Sequence, residues 1–194
     1  MPEIPVSFCG PFSWPGAPDA PSVFDVEEGH KAGIYLFTIP LPHGYLIYYV
    51  GETGREFRVR LCEHYKEHAS AMYHIYSPAE FAHGEKRLLW PGRYDSTNRK
   101  SARECIENYA RLCESIREMA FMFRFFLAPL SCEDRNRKRI EAAIALGLYR
   151  APGIVGTFQD EGIRYEPKWN SEEPIECVVT SPIPVLGLPD RFQA

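Results

Sequence analysis

The sequence predicts an α+β fold on three observations. Two segments rich in β-branched and aromatic residues flank a Pro/Gly turn near residues 31–53. Helix-start signals and helical periodicity follow them, and an apolar stretch, AFMFRFFL, lies between two helical segments. The implied order is β-β-α-(loop)-α-β-α, an architecture of packed helix and sheet layers. A chain of 194 residues can bury a core as one domain with elaborations, or as two small domains at most. Hydrophobic residues at 45% and charged residues at 25% are ordinary globular usage and argue against a largely disordered chain.

The elements follow in order. Ala32 to Ile39 and Tyr45 to Thr53 read as a β-hairpin joined by Pro40 to Gly44. That connection sets Ile39 opposite Tyr45, and therefore Tyr35 directly opposite Tyr49. Alternation then places both tyrosines on one face with Gly33 and Gly51 beside them, and Tyr48 on the other. A one-residue slip would destroy this arrangement. Glu56 to about Tyr73 reads as a helix that stacks Arg60 and His64, four residues apart, on one face. Residues 74–100 read as a polar loop containing Gly and Pro. Ser101-Ala-Arg-Glu104 is a capping-box signature opening a helix with Ile106, Tyr109, Cys113 and Ile116 on one stripe. Ala120 to Leu127 reads as a third strand, apolar enough to be central. Ser131, Glu133 and Asp134 then start a helix running to about Leu148.

Charge and proline divide the chain the same way. Residues 1–30 carry five acids and no Lys or Arg, and residues 155–194 carry three bases and seven acids. Residues 31–154 carry nineteen bases and fourteen acids. The net charge of -4 alone argues against a nucleic-acid binder, whereas a basic centre between acidic ends is compatible with a phosphate-binding body. Six of the 17 prolines precede residue 31 and six follow residue 151. Residues 1–30 and 151–194 are therefore expected as arms wrapped on a central module of residues 31–150. The best apolar run, Ala120 to Leu130, is interrupted by Arg124 and falls short of the roughly 20 residues of a membrane span. The opening Met-Pro-Glu-Ile-Pro lacks the basic start and apolar block of a signal peptide. Six cysteines without CxxC spacing read as free thiols, not a disulfide frame or a zinc site, so a cytoplasmic location is expected.

Two features suggest chemistry. One is the tyrosine pair across a hairpin whose strands each carry a glycine. The other is Glu141, the only charged residue between Ile140 and Tyr149. A lone carboxylate in an apolar helical segment is costly unless it is paired or binds a metal. Its ordinary alternatives are a solvent-facing position or an ion pair with Arg137, one turn earlier. The tyrosines could equally be core residues with a wet hydroxyl, and Arg60 could pair with Glu56 or Glu63. His64 and His68 have zinc-like spacing but no third ligand nearby. From His74 to Arg103, six bases (Lys86, Arg87, Arg93, Arg99, Lys100, Arg103) face three acids, and Tyr73, Tyr76, Phe81, Trp90 and Tyr94 accompany them. Bases with aromatics suit contact with a nucleic-acid strand, and a mixed-charge surface loop is the alternative.

Gly33-Ile34-Tyr35, followed by Tyr49-Val50-Gly51-Glu52-Thr53, resembles the signature of the GIY-YIG nucleases. The resemblance continues in order. Arg60 and His64 match the family's Arg and His (or Tyr) on the first helix, and Glu141 matches its metal-binding Glu on a later helix. It covers roughly residues 31–150. It implies a small three-stranded antiparallel sheet flanked by helices, and cleavage of DNA phosphodiesters with Mg²⁺ (or Mn²⁺) held at Glu141. It implies Arg60 as the phosphate holder and Tyr35 as general base ahead of Tyr49, with His64 relaying the proton near neutral pH. Arg55 or Arg58 would replace a Lys that family members often carry. Lys86, Arg87 and Arg93 would add nucleic-acid contacts. RNA remains open as a substrate, and no membrane partner is expected. The segment from Gly51 to Arg60 is one residue longer than usual, and Pro152-Gly153-Ile154 stands where the family often has an Asn. These departures motivate one alternative, a catalytically inactive nucleic-acid-binding module; the net charge of -4 and the Pro-rich arms motivate another, an interaction or scaffold protein.

Overall fold

The computed structural model describes residues 3–94 and 102–194. Its first half contains β1 (Glu3–Ser7), β2 (Cys9–Phe12), a 3-10 turn (Glu27–His30), β3 (Gly33–Leu41), β4 (Gly44–Thr53), α1 (Phe57–Ala69), β5 (Ile75–Tyr76), α2 (Pro78–Phe81) and β6 (Leu88–Trp90). Its second half contains α3 (Ala102–Met122), β7 (Arg124–Pro129), α4 (Asp134–Tyr149), α5 (Ile154–Thr157), β8 (Glu176–Thr180), β9 (Val185–Leu186) and β10 (Arg191–Gln193). The fold is α+β. The main sheet has five strands in the order β2-β7-β3-β4-β9, where three were expected. The expected strands form its antiparallel middle, β7-β3-β4. Both extra edges come from the arms: β2 pairs antiparallel with β7, and β9 pairs parallel with β4 at Tyr45 and Leu46. The arms also build a second sheet of their own, β1-β8-β10. They are structural parts of the core and not only a wrapping.

Residues 34–39 of β3 are all buried, with no polar alternation, because both faces of the sheet are covered. One face carries Tyr35, Phe37, Ile39, Phe125 and Leu127 against Phe57 and Leu61 of α1 and Leu112, Ile116 and Met119 of α3. The other carries Ile34, Leu36, Val50 and Phe126 against Ile140, Ile144 and Leu148 of α4, with Val6, Cys177 and Val179 of the arm sheet.

Several expectations need correction. Leu41 pairs with Gly44, so the hairpin turn is two residues long and not five. Tyr35 consequently lies opposite Gly51, and Tyr49 lies opposite Phe37. A shift of two keeps every residue on its face, so the tyrosines still share one. Between Tyr49 opposite Phe37 and Ile47 opposite Thr38, Tyr48 is an extra residue, a β-bulge. The bulge resets the alternation, and Tyr48 packs on the same face as Tyr35 instead of the opposite one. Gly33, at φ +152°, is required by close packing: a Cβ there would lie 2.1 Å from the Ala128 carbonyl oxygen.

Helix α1 stops at Ala69, short of Tyr73. The stretch after His74 is not wholly loop but contains β5, α2 and β6. Ser101 of the capping box, with Arg99 and Lys100, lies outside the described residues. On α3 the expected stripe fails at its start, since Ile106 is 75% and Tyr109 51% exposed. The packed stripe is Leu112, Ile116, Met119 and Ala120. The helix continues to Met122 and takes the first residues of the expected strand. The buried Arg124 then closes it, donating from Nη1 to the Phe121 carbonyl at 2.8 Å while its Nε and Nη2 pair with Asp19 at 3.0 Å. All six cysteines carry free thiols. Among the described residues no helix is long and apolar enough to cross a membrane.

Candidate active site

The site begins with Gly51. A Cβ there would lie 2.3 Å from Cζ and 2.4 Å from the hydroxyl of Tyr35, so the absent side chain is the space the ring occupies. Tyr35 lies across the strand with its ring 6.1 Å from that of Tyr49. Helix α1 crosses the same face and brings Arg60 and His64 to the Tyr35 hydroxyl. His64 Nε2 is 2.9 Å from it, and Arg60 donates from Nε at 3.3 Å. The four residues expected from the hairpin and the first helix therefore converge. They differ in access. Tyr35 is 0% exposed, whereas Tyr49 is half-buried. Tyr49, Arg60 and His64 border a cavity of about 150 Å³, together with Tyr73, His74 and Asp160.

Burial sets the electrostatics of the tyrosines. It pushes the Tyr35 phenol up to about 12 despite the neighbouring Arg60 charge, and it pushes Tyr49 well above the ordinary phenol range. No standing phenolate exists at neutral pH. Burial, and then the Arg60 charge, hold His64 down at about 3, so it is neutral and does not titrate near pH 7 as expected. Its other nitrogen, Nδ1, lies 2.7 Å from the Tyr73 hydroxyl, which in turn donates to Glu67 Oε2. Tyr94 donates to the other oxygen of Glu67 at 3.1 Å. Glu67 was not singled out from the sequence, and Tyr73 was read only as one of the aromatics interleaved with the basic stretch. Glu67 follows His64 by three residues on the helix, a spacing that offered a signal. Tyr73 lies beyond the helix end, where periodicity carries none.

Glu141 arrives from the opposite face on α4. Its Oε1 accepts the backbone N–H of Glu52 on β4 at 3.0 Å. The alternative partner Arg137 is engaged elsewhere, with Glu52 Oε2 at 3.2 Å, Asp134 at 2.5 Å and the Cys132 carbonyl at 2.8 Å. Among the described residues no Lys or Arg pairs with Glu141, and Lys138 goes to Glu166 at 2.7 Å. Burial first, and then repulsion by the Glu52 carboxylate, raise Glu141 to about 7. Its charge also raises both tyrosines, which places it within electrostatic reach of the pair. A half-buried carboxylate without an ion-pair partner among the described residues, repelled by Glu52 and offset only in part by the Lys138 charge, fits a hard divalent cation that keeps most of its ligands as water. Among the described residues no group of three or more His, Cys, Asp or Glu is placed to hold a metal.

The expected nucleic-acid contacts are largely tied to acids. Arg55 forks onto Glu63 at 2.7 and 2.8 Å. Arg60 shares that carboxylate at 3.2 Å, and the two guanidiniums, Arg55 foremost, hold Glu63 down at about 2. Arg58 pairs with Glu56 and faces the N-terminal arm at His30. Lys86 donates to the Gln159 carbonyl at 2.6 Å and to Glu161 at 3.1 Å. Arg87 pairs with Glu80, and Arg93 is exposed beside Lys66 and Tyr65.

No protein-family model matches this chain, and no curated protein and no solved structure matches it either.

Proposed function

We propose that the chain is a divalent-metal-dependent endonuclease of GIY-YIG type, hydrolysing phosphodiester bonds in DNA. The observation that carries this reading is the convergence of Arg60 and His64 on the Tyr35 hydroxyl, beside a cavity that Tyr49, Arg60 and His64 border, with Glu141, which pairs with no Lys or Arg among the described residues, within electrostatic reach. The motif and the family resemblance selected these residues; strand alternation and helical spacing put each pair on one face, and the meeting of the two pairs at the Tyr35 hydroxyl supports the reading. The three antiparallel strands β7-β3-β4 with α1 and α4 would be the nuclease module. A bound Mg²⁺ or Mn²⁺ at Glu141 would supply charge neutralisation on the phosphate and the leaving oxygen. Arg60 would hold a phosphoryl oxygen, exchanging its contact with Glu63 for the incoming anion. Tyr49, the tyrosine on the cavity, would take the proton of the attacking water. Tyr35, with no exposed surface, would stand behind it and not meet the water as the sequence suggested.

The test is cleavage of supercoiled plasmid by the purified chain, with Mg²⁺, with EDTA, and with Glu141→Ala. Metal-dependent nicking that the substitution removes is expected. Equal cleavage by the variant would sink the assignment, and a parallel RNA substrate separates the two nucleic acids. The pairing of the bases with acids favours one rival, an interaction protein. That rival predicts no nucleic-acid binding even at low salt.

A further inference from the structure

The nuclease reading needs neither Tyr73 nor Glu67, yet the two finish a chain of hydrogen bonds with a single direction. A carboxylate can only accept, so Tyr73 donates its one proton to Glu67. The Tyr73 oxygen must then accept from His64, which places a hydrogen on Nδ1. A neutral imidazole with Nδ1 protonated has a bare Nε2, which accepts from the Tyr35 hydroxyl. The Tyr35 oxygen keeps two acceptor positions. Arg60 fills one, and the other is left for the Tyr49 side, whose ring lies 6.1 Å from that of Tyr35 on the same face. Every donor from Tyr35 to Glu67 points the same way.

We propose that Tyr73 and Glu67 are positioning residues that complete a proton path from the tyrosine pair, through His64, to the half-exposed carboxylate of Glu67; this rests on the nuclease reading above. The step balances. As the water oxygen bonds to phosphorus, its proton passes to Tyr49 and the Tyr49 proton passes to Tyr35. The Tyr35 proton moves to His64 Nε2, the Nδ1 proton moves to Tyr73, and the Tyr73 proton moves to Glu67. The bond from phosphorus to the leaving oxygen breaks, its electron pair stays on that oxygen, and solvent protonates it. Glu67 later returns its proton to solvent.

The environment fits a path and not a store. His64 is too deeply buried to hold a second proton, and Tyr35 is too deeply buried to stand as phenolate. A proton taken at one end must leave at the other. The charged and titratable groups around the path are Arg60 and Glu63 on α1, Tyr94 at Glu67, His74 and Asp160 across the cavity, Glu141 on α4, and Tyr165 near Tyr49.

Two readouts test the path. Long-range ¹H–¹⁵N correlation spectra of the intact chain report the His64 tautomer. A neutral ring with Nδ1 protonated is expected from about pH 5 to about pH 8, and a ring protonated on Nε2 overturns the path. Single-turnover plasmid cleavage with Mg²⁺ is then compared for wild type, Tyr73→Phe and Glu67→Gln. Tyr73→Phe keeps the ring that packs on His64, and the His64 resonances confirm its fold. Each variant is expected to lose about 100-fold in rate at neutral pH with unchanged DNA affinity. The loss should shrink toward about pH 9, where hydroxide replaces the relayed proton transfer. Wild-type rates and an unchanged pH profile in both variants overturn the path while leaving the nuclease reading intact. A wild type that cleaves no DNA or RNA, whatever the tautomer, removes the nuclease reading and the path's task with it.

Discussion

The two faces of the main sheet treat buried polar groups in opposite ways. On the α1 face, Tyr35, His64, Tyr73 and Glu67 satisfy one another, and burial is tolerated because each hydrogen has an acceptor. On the α4 face, Glu141 has one backbone N–H and a repelling neighbour, and the Lys138 charge offsets its own only in part. A closed network contributes to the stability of the fold and holds its groups in one geometry. An open one is costly in the free protein and is relieved by whatever cation arrives. The difference assigns positioning to one face and ligand binding to the other, and substitutions on the two faces should behave accordingly.

The largest contrast is at Glu141. Glu141→Ala should lower metal-dependent cleavage by at least about 10³-fold, because the charge stabilisation a bound metal supplies is worth several kcal/mol. The fold should not suffer. With the carboxylate held at about 7 in the folded state, the native chain binds more protons than the unfolded chain between about pH 4.5 and about pH 7, and stability falls as pH rises through that window. Removing the carboxylate removes this fall. Urea unfolding of the variant at about pH 8 should therefore show a midpoint at or above that of wild type, and a clear drop would mean that Glu141 is a structural residue.

The closed face has the opposite pH signature. His64 is held at about 3 and His68 at about 4, both by burial, and both are almost wholly inaccessible. The unfolded chain takes up protons below about pH 6.5 and the folded chain does not, so stability falls as pH falls. Each histidine should cost about 2 kcal/mol between pH 8 and pH 5, about 4 kcal/mol together, with Glu141 opposing part of it. His68 donates only to the Ile116 carbonyl and stands outside the tyrosine network. His68→Gln should halve the histidine contribution, as read from urea midpoints across pH. A pH-independent midpoint in wild type would show that these rings are solvated.

Gly51 lies where the two faces meet in one strand. Gly51→Ala would drive a methyl into the Tyr35 ring, whose far end is fixed by His64 and Arg60. A destabilisation of about 2 kcal/mol is expected in urea, together with loss of the ordered His64 tautomer. A tolerated alanine would mean that the ring moves freely and that the tyrosine geometry is not held.

What could be read from the sequence follows from the same physics. Arg60 and His64 were legible because helical spacing is rigid, and Glu141 because a charge in an apolar segment stands out. The pairing of Tyr35 with Tyr49 was misread by two residues, since a two-residue turn and a bulge cancel in parity and leave the same alternation on the page. Tyr48 was placed on the wrong face because adjacent tyrosines suit either side of a bulge equally well. The edge strands β2 and β9 were not legible as parts of the main sheet. They are four and two residues long, carry no usable period, and pair with strands more than a hundred residues away. Tyr73 acquires its place only from the fold of the segment after α1.

The smallest expected effect decides whether the basic centre meets nucleic acid at all. Glu63 occupies both the exposed Arg55 and the half-buried Arg60, the guanidinium that touches Tyr35. Exposed pairs contribute little to stability, about 1 kcal/mol or less, so Glu63→Gln should leave the urea midpoint almost unchanged. It should free two forked donors for phosphate. DNA affinity is then expected to rise severalfold at low salt, and the plot of log affinity against log salt to steepen by about one to two phosphate contacts. Fluorescence anisotropy with a labelled duplex over a salt series measures both. If Glu63→Gln leaves affinity and salt slope unchanged, the anion that displaces Glu63 from Arg60 is not a nucleic-acid phosphate. The assignment of Arg60 as phosphate holder then falls, even if the tyrosine network behaves as described.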